Sequence, residues 1–169
     1  GLITEGAKIL NLVRLNLYLD SPYVAGRILA RGIETGAVER DADNLNLLRS
    51  AWTSAKEYDR AVAVIDQLGQ LTGDPKYYMD KASILNEQAR WEEVIAAARQ
   101  ALDADTETPA RAWLLMGMAY TELDRLGEAL QAFDRVRETG DAKERQNAAA
   151  WIAFVRDRQA VESARIASG

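Results

Sequence analysis

Apolar residues recur along this chain at helical spacing, and the pattern is clearest over residues 113–136. Trp113, Met116, Gly117 and Tyr120 fall three, one and three residues apart, and after a short polar stretch Ala129, Phe133 and Val136 follow at four and three. Two apolar stripes of this kind predict two amphipathic helices that pack on each other. The same frame runs backward through Tyr78, Ala82, Leu85, Val94, Ala98 and Ala101, then Leu45, Arg49, Trp52, Ala61, Ile65 and Leu68, then Leu10, Arg14, Leu17, Gly26, Ala30 and Ile33. A shorter motif marks the second helix of each pair: Tyr23-Val-Ala-Gly26, Tyr58-Asp-Arg-Ala61, Trp91-Glu-Glu-Val94 and Leu126-Gly-Glu-Ala129, stepping by 35, 33 and 35 residues. A fixed period of this length is the signature of a helical repeat array.

Local punctuation agrees with that division. Ser21-Pro22, Asp74-Pro75 and Thr108-Pro109 each set a capping residue before a proline, which places proline at the first helical position, where a missing N–H costs nothing. Gly36, Gly73 and Gly140 stand where an apolar pattern ends and are expected as left-handed C-terminal caps. The predicted helices are 3–19, 22–35, 43–55, 58–71, 75–88, 91–103, 109–123, 126–139 and 142–165. Residues 10–19 partly alternate like a strand, but their place before a capped helix favours helix. In the last helix Ala149, Ile152, Phe154 and Val155 supply an apolar face and Arg156, Asp157, Arg158 and Glu162 a polar one, as befits the cap of an array.

The residues Trp113, Met116, Gly117, Tyr120, Ala129 and Phe133 resemble the W, L, G, Y, A and F frame of the tetratricopeptide repeat (TPR). In that family each repeat is two antiparallel helices, A and B, which cross closely where small residues such as Gly117 and Ala129 fall. The resemblance covers residues 40–140 well and 7–36 more loosely. Lys81, Arg49 and Arg14 depart from the family pattern near the helix packing, where long basic side chains can snorkel. The implied fold class is all-α: an α-solenoid of about four TPR-like hairpins in a single domain, with repeats near 7–40, 41–74, 75–109 and 110–141 and a capping helix over 142–168.

Composition then narrows the function. The 169 residues contain no cysteine and no histidine, which removes disulfides, thiol nucleophiles, histidine bases and the usual zinc or haem ligands together. A net charge of −5 with no basic block argues against nucleic acid as a partner. No apolar run is long enough to span a bilayer. Gly26, Gly32 and Gly36 lack the lysine and hydroxyl residue of a phosphate loop. Glu92-Glu93 opens a helix and Asp103-Ala-Asp105 lies in a loop, where their charges serve the helix dipole and solvation rather than catalysis. Trp52, Trp91, Trp113 and Trp151 occupy packing places rather than stacking platforms for bases or sugars. We therefore expect no enzymatic activity, no cofactor and no metal.

A binding surface remains. With a 3.6-residue period, the second, fifth, ninth and twelfth positions of each repeat share one face of helix A, the face that lines the groove of TPR arrays. Here these are Lys8, Asn11, Leu15 and Tyr18; Asp43, Asn46, Ser50 and Thr53; Lys76, Met79, Ser83 and Asn86; and Arg111, Leu114, Met118 and Thr121. Leucine and methionine give adaptable apolar contacts, and the Asn and Ser side chains meet backbone groups, so a protein or peptide partner, extended or helical, is expected. Chaperone-tail TPR domains resemble one another in a carboxylate clamp of Lys and Asn at the fifth and ninth positions; this chain offers Asn46 alone, so a C-terminal carboxylate finds no matching site.

A narrower likeness lies in Tyr23-Val-Ala-Gly-Arg-Ile-Leu-Ala-Arg-Gly32, Gly36-Ala-Val-Glu-Arg-Asp-Ala-Asp-Asn-Leu45 and Ala148-Ala-Ala-Trp151-Ile-Ala-Phe-Val-Arg. These runs resemble TPR proteins of Gram-negative bacteria that accompany the TonB, ExbB and ExbD energy-transduction system, which implies a periplasmic or envelope-associated accessory. An export signal or anchor upstream of Leu2 is expected on that reading. The alternative is a self-associating assembly protein, a homo-oligomer that meets its own copies through the apolar residues around Trp151 and Phe154.

Overall fold

The computed structural model of the chain describes residues 4–167. Among the described residues there are nine α-helices: α1 (Glu5–Tyr18), α2 (Pro22–Glu34), α3 (Ala42–Ser54), α4 (Tyr58–Thr72), α5 (Lys76–Glu87), α6 (Trp91–Asp103), α7 (Pro109–Glu122), α8 (Leu126–Thr139) and α9 (Ala142–Ala167). Each begins and ends within about two residues of expectation; Ile3 and Ser168, expected in the first helix and the cap, lie outside the described residues. The chain divides into two compact units, one ending at Asp74 and the other beginning at Pro75. In the first, α1 packs on α2, α2 on α3 and α3 on α4; in the second, α5 to α9 pack in sequence, and α7 also touches α5 and α9.

The hairpins close through one repeated turn. At the ends of α1, α3, α5 and α7, a single residue takes the left-handed conformation: Asp20, Lys56, Ala89 and Asp124, with φ between 54 and 60°. The residue after it donates its N–H five residues back, Ser21 to Asn16, Glu57 to Trp52, Arg90 to Leu85 and Arg125 to Tyr120, at 2.8–3.0 Å. This is a Schellman closure, which satisfies carbonyls that the helix end leaves unpaired and swings the chain into the next helix. None of the four left-handed residues is glycine, so glycine placement did not announce these turns. An i,i+3 ion pair straddles three of the following helix starts: Arg60 with Glu57 at 3.3 Å, Arg90 with Glu93 at 2.6 Å and Arg125 with Glu128 at 2.5 Å.

Three expectations about punctuation are corrected. Pro22 and Pro109 do open their helices, but Ser21 and Thr108 make no side-chain cap bond, and Pro75 sits at the cap position itself, one residue before α5 begins. The capping oxygens belong instead to Thr4, Asp41 and Asp141. Gly36 and Gly73 are left-handed, whereas Gly140 is extended, φ −86° and ψ 163°. Its neighbour Asp141 explains this: Asp141 and Glu144 form a reciprocal capping box, each backbone N–H bonded to the other's carboxylate at 2.8 Å, and an N-cap residue must be reached by extended chain.

The core follows the repeat frame. Leu45, Trp52, Ala61, Ile65 and Leu68 are buried in the first unit, and Ala82, Leu85, Val94, Ala98, Ala101, Met116, Tyr120, Ala129, Phe133 and Val136 in the second. Gly117 lets α7 and α8 cross closely: a Cβ there would stand 2.5 Å from the Phe133 ring. Gly26 plays the same part against Trp52, at 2.7 Å. In α1 the frame slips, since Val13 is its only buried residue and Arg14 is exposed. In α9 it is Ala148, Ile152 and Val155 that are buried, while Ala149 and Phe154 face outward, because the helix meets α8 along an i, i+4, i+7 stripe one residue off the expected one. Trp151 stacks on Phe133 at 5.6 Å and 13°, and Arg158 ties α9 to the end of α7 through the Thr121 carbonyl and Asp124.

Candidate functional site: the A-helix faces

In the first unit Lys8, Asn11, Leu15 and Tyr18 are exposed on α1, Tyr18 to 86%. On α3, Asp43, Ser50 and Thr53 are exposed and Asn46 is half-buried. Some of this polar surface is spent within the helix: Asn46 Nδ2 donates to the Ala42 carbonyl at 2.8 Å and Thr53 Oγ1 to that of Arg49 at 2.9 Å. This unit thus exposes amide oxygen and hydroxyl groups on α3 and two apolar side chains, Leu15 and Tyr18, on α1.

In the second unit the A helices α5 and α7 touch, and their faces share polar groups. Arg111 Nη2 donates to Ser83 Oγ at 3.0 Å, and Ser83 Oγ donates in turn to the Met79 carbonyl at 2.9 Å. Leu114 and Met118 are half-buried and Lys76 and Arg111 exposed. Asn86 is half-buried, and its Oδ1, shielded from solvent, has no hydrogen-bond partner. The ring of Tyr77 holds Lys76 at 4.9 Å.

Two residues expected on this face are not there. Met79 is 5% exposed and Thr121 fully buried, its Oγ1 donating to the Gly117 carbonyl at 2.8 Å. Contact of α7 with α5 and α9 covers the flanks of these helices, so positions that share a face by periodicity divide into open and enclosed ones. Among the described residues there is no group of three or more acidic side chains placed to hold a metal ion, and no helix long and apolar enough to cross a membrane.

No family model and no curated protein sequence matches the chain. Solved structures do resemble it. MamA from Desulfovibrio magneticus RS-1, residues 41 to the end, is 21% identical over 92% of this chain and 85% of its own, with a TM-score of 0.60. A tetratricopeptide repeat protein from Parabacteroides merdae is 14% identical over 91% of this chain and 61% of its own, with a TM-score of 0.66. The TPR2B domain of yeast Sti1, solved in complex with pHsp70, is 16% identical over 69% of this chain and 97% of its own, with a TM-score of 0.57. Identities of this order carry architecture alone, and the architecture they carry, matched by all-helical hairpins closed through the same turn in both units, is the tetratricopeptide-repeat fold.

Proposed function

We propose that the chain is a non-enzymatic interaction module that holds a protein partner, as an extended or helical segment, on the A-helix faces of its hairpins. The observation that carries this reading is the exposed Arg111, bonded to Ser83 across α7 and α5, beside the half-open Leu114 and Met118 on α7, a polar and apolar mixture that suits a peptide's carbonyl groups and one apolar anchor. That a TPR domain of this fold was solved holding pHsp70 supports the class of partner. The runs around Tyr23, Gly36 and Trp151 that resemble TonB-associated TPR proteins extend the proposal to the periplasm or envelope of a Gram-negative cell, as an accessory of that machinery.

The test is capture from an envelope fraction with the parent and with Leu114→Glu and Asn86→Leu. Both variants keep their helicity and lose the partner that the parent retains. Equal capture by all three defeats the A-face reading. Met79→Glu is unsuitable for this purpose, because its buried side chain makes the substitution a folding defect.

A second reading has its own observation. Phe154 is 52% exposed, packs edge-on against Trp151 and borders a shallow cleft of about 280 Å³ with Ala150, and Val161 and Ile166 lie bare farther along α9. Self-association through α9 would cover them, and it predicts a mass that rises with concentration and falls back in Phe154→Glu.

A further inference from the structure

On the other side of the second unit, a cleft of about 460 Å³ opens between the B helices α6 and α8, with α7 as its floor. The floor is apolar and aromatic: Met116 and Tyr120 are buried and Trp113 is half-buried. Arg99 enters from α6 and donates through Nη2 to the Tyr120 hydroxyl at 3.3 Å. Arg135 enters from α8, its guanidinium 5.8 Å from the Trp113 ring and its Nη1 bonded to Glu138 at 2.8 Å. The carboxylate of Glu128 also lines the cleft, but Arg125 holds it with two bonds of 2.5 and 2.9 Å while lying 4.7 Å from the ring of Tyr120.

This arrangement leaves one group available. Arg99 makes no ion pair among the described residues and uses a single N–H on Tyr120, so the rest of its guanidinium fork is free to take a carboxylate. Beside it the Trp113 and Met116 surface accepts a flat ring, and thioether and indole give such a ring favourable contacts. Asp103, one helical turn on from Arg99 at the rim, is placed to accept a backbone N–H and disfavours a second negative charge there. The volume falls in the range that encloses a side chain or two.

We propose that this cleft is a second recognition site, independent of the A-helix faces, for a peptide segment in which one acidic side chain adjoins an aromatic one. The carboxylate pairs with Arg99, the ring lies on Trp113 and Met116, and the segment's backbone meets Asp103. Arg135 closes over the ring from the α8 side. A single acidic residue is specified, because Asp103 and Glu128 already supply negative charge to the rim.

The test uses ¹⁵N-labelled protein and the blocked peptide Ac-Gly-Glu-Phe-Gly-amide, followed by the indole N–H signals of the four tryptophans, with Trp113→Phe to assign the signal in question. The acidic peptide moves the Trp113 signal saturably in the millimolar range. Its counterpart with Gln for Glu binds about tenfold more weakly, and Arg99→Gln weakens the acidic peptide about tenfold while Arg137→Gln, which loses only its surface pair with Asp134, does not. Arg99→Gln gives up its bond to the buried Tyr120 hydroxyl, so its fold is checked by circular dichroism beside the titration, and the exposed Arg135→Gln gives a second variant that leaves that bond in place. A Trp113 signal that stays still, or moves equally with the Gln peptide or in Arg99→Gln, overturns the proposal. Leu114→Glu, which disables the A-helix face, leaves this titration intact, so the two readings fail separately.

Discussion

Gly117→Ala adds one methyl group to α7, and the sign of its effect is decided by a single contact. In an open helix interior the change stabilises by about 0.5–1 kcal/mol, because glycine gives up more backbone freedom on folding than alanine. Here the new Cβ would stand 2.5, 2.7 and 2.8 Å from Cε1, Cδ1 and Cζ of Phe133. The Phe133 ring cannot yield freely, since it is fully buried and stacked on Trp151 at 5.6 Å. Relieving the clash forces α7 and α8 apart or Phe133 off its rotamer, at about 1–3 kcal/mol. The expected net loss is therefore about 0.5–2 kcal/mol.

Urea unfolding followed by circular dichroism reads this as a lowered midpoint with an unchanged slope. Gly127→Ala in α8, where a Cβ meets nothing within 4 Å, serves as the control and should not destabilise. Phe133→Leu should relieve Gly117→Ala, with a coupling of at least about 0.5 kcal/mol in the double-mutant cycle. A stabilised Gly117→Ala, or additivity with Phe133→Leu, would refute the close crossing on which the repeat frame rests.

Two further predictions concern the turns and the ion pairs beside them. Ala89→Gly should stabilise by about 0.5–1 kcal/mol, because the left-handed residue at φ 54° pays a Cβ penalty that glycine escapes; an unchanged or lowered urea midpoint counts against the turn. Glu128 is held below its ordinary value of 4.5 chiefly by its hydrogen bond from Arg125, so its contribution is complete above that pH and is lost as pH falls through the lower folded-state value. Stability should thus fall more steeply on acidification below 4.5 in the parent than in Glu128→Gln, by a small amount since solvent screens the pair, and parallel curves would sink the assignment.

The sequence by itself determined the helices and their order. Helix formation depends on neighbours three and four residues away, so the stripe Trp113, Met116, Gly117 and Tyr120 and its three earlier copies were enough to place nearly every boundary and most of the core. Glycine chemistry served where the turn required it, at Gly36 and Gly73, and misled at Gly140, where the capping box of the next helix claimed the backbone. The left-handed Asp20, Lys56, Ala89 and Asp124 escaped the glycine signal because none of them is glycine, although the Schellman bonds that hold them are local to the end of the preceding helix.

Tertiary structure alone decided which faces stay open. Met79 and Thr121 share a helical face with Ser83 and Leu114, yet the packing of α7 on α5 and α9 encloses the first two and leaves the others accessible. Arg99 and Arg135 stand 36 residues apart and meet over Trp113 and Tyr120 only because successive B helices flank one A helix. Periodicity fixes the angle of a side chain about its own helix axis, and it does not fix what the neighbouring helix covers; that depends on crossing angle and on the size of residues such as Gly117 at the point of contact.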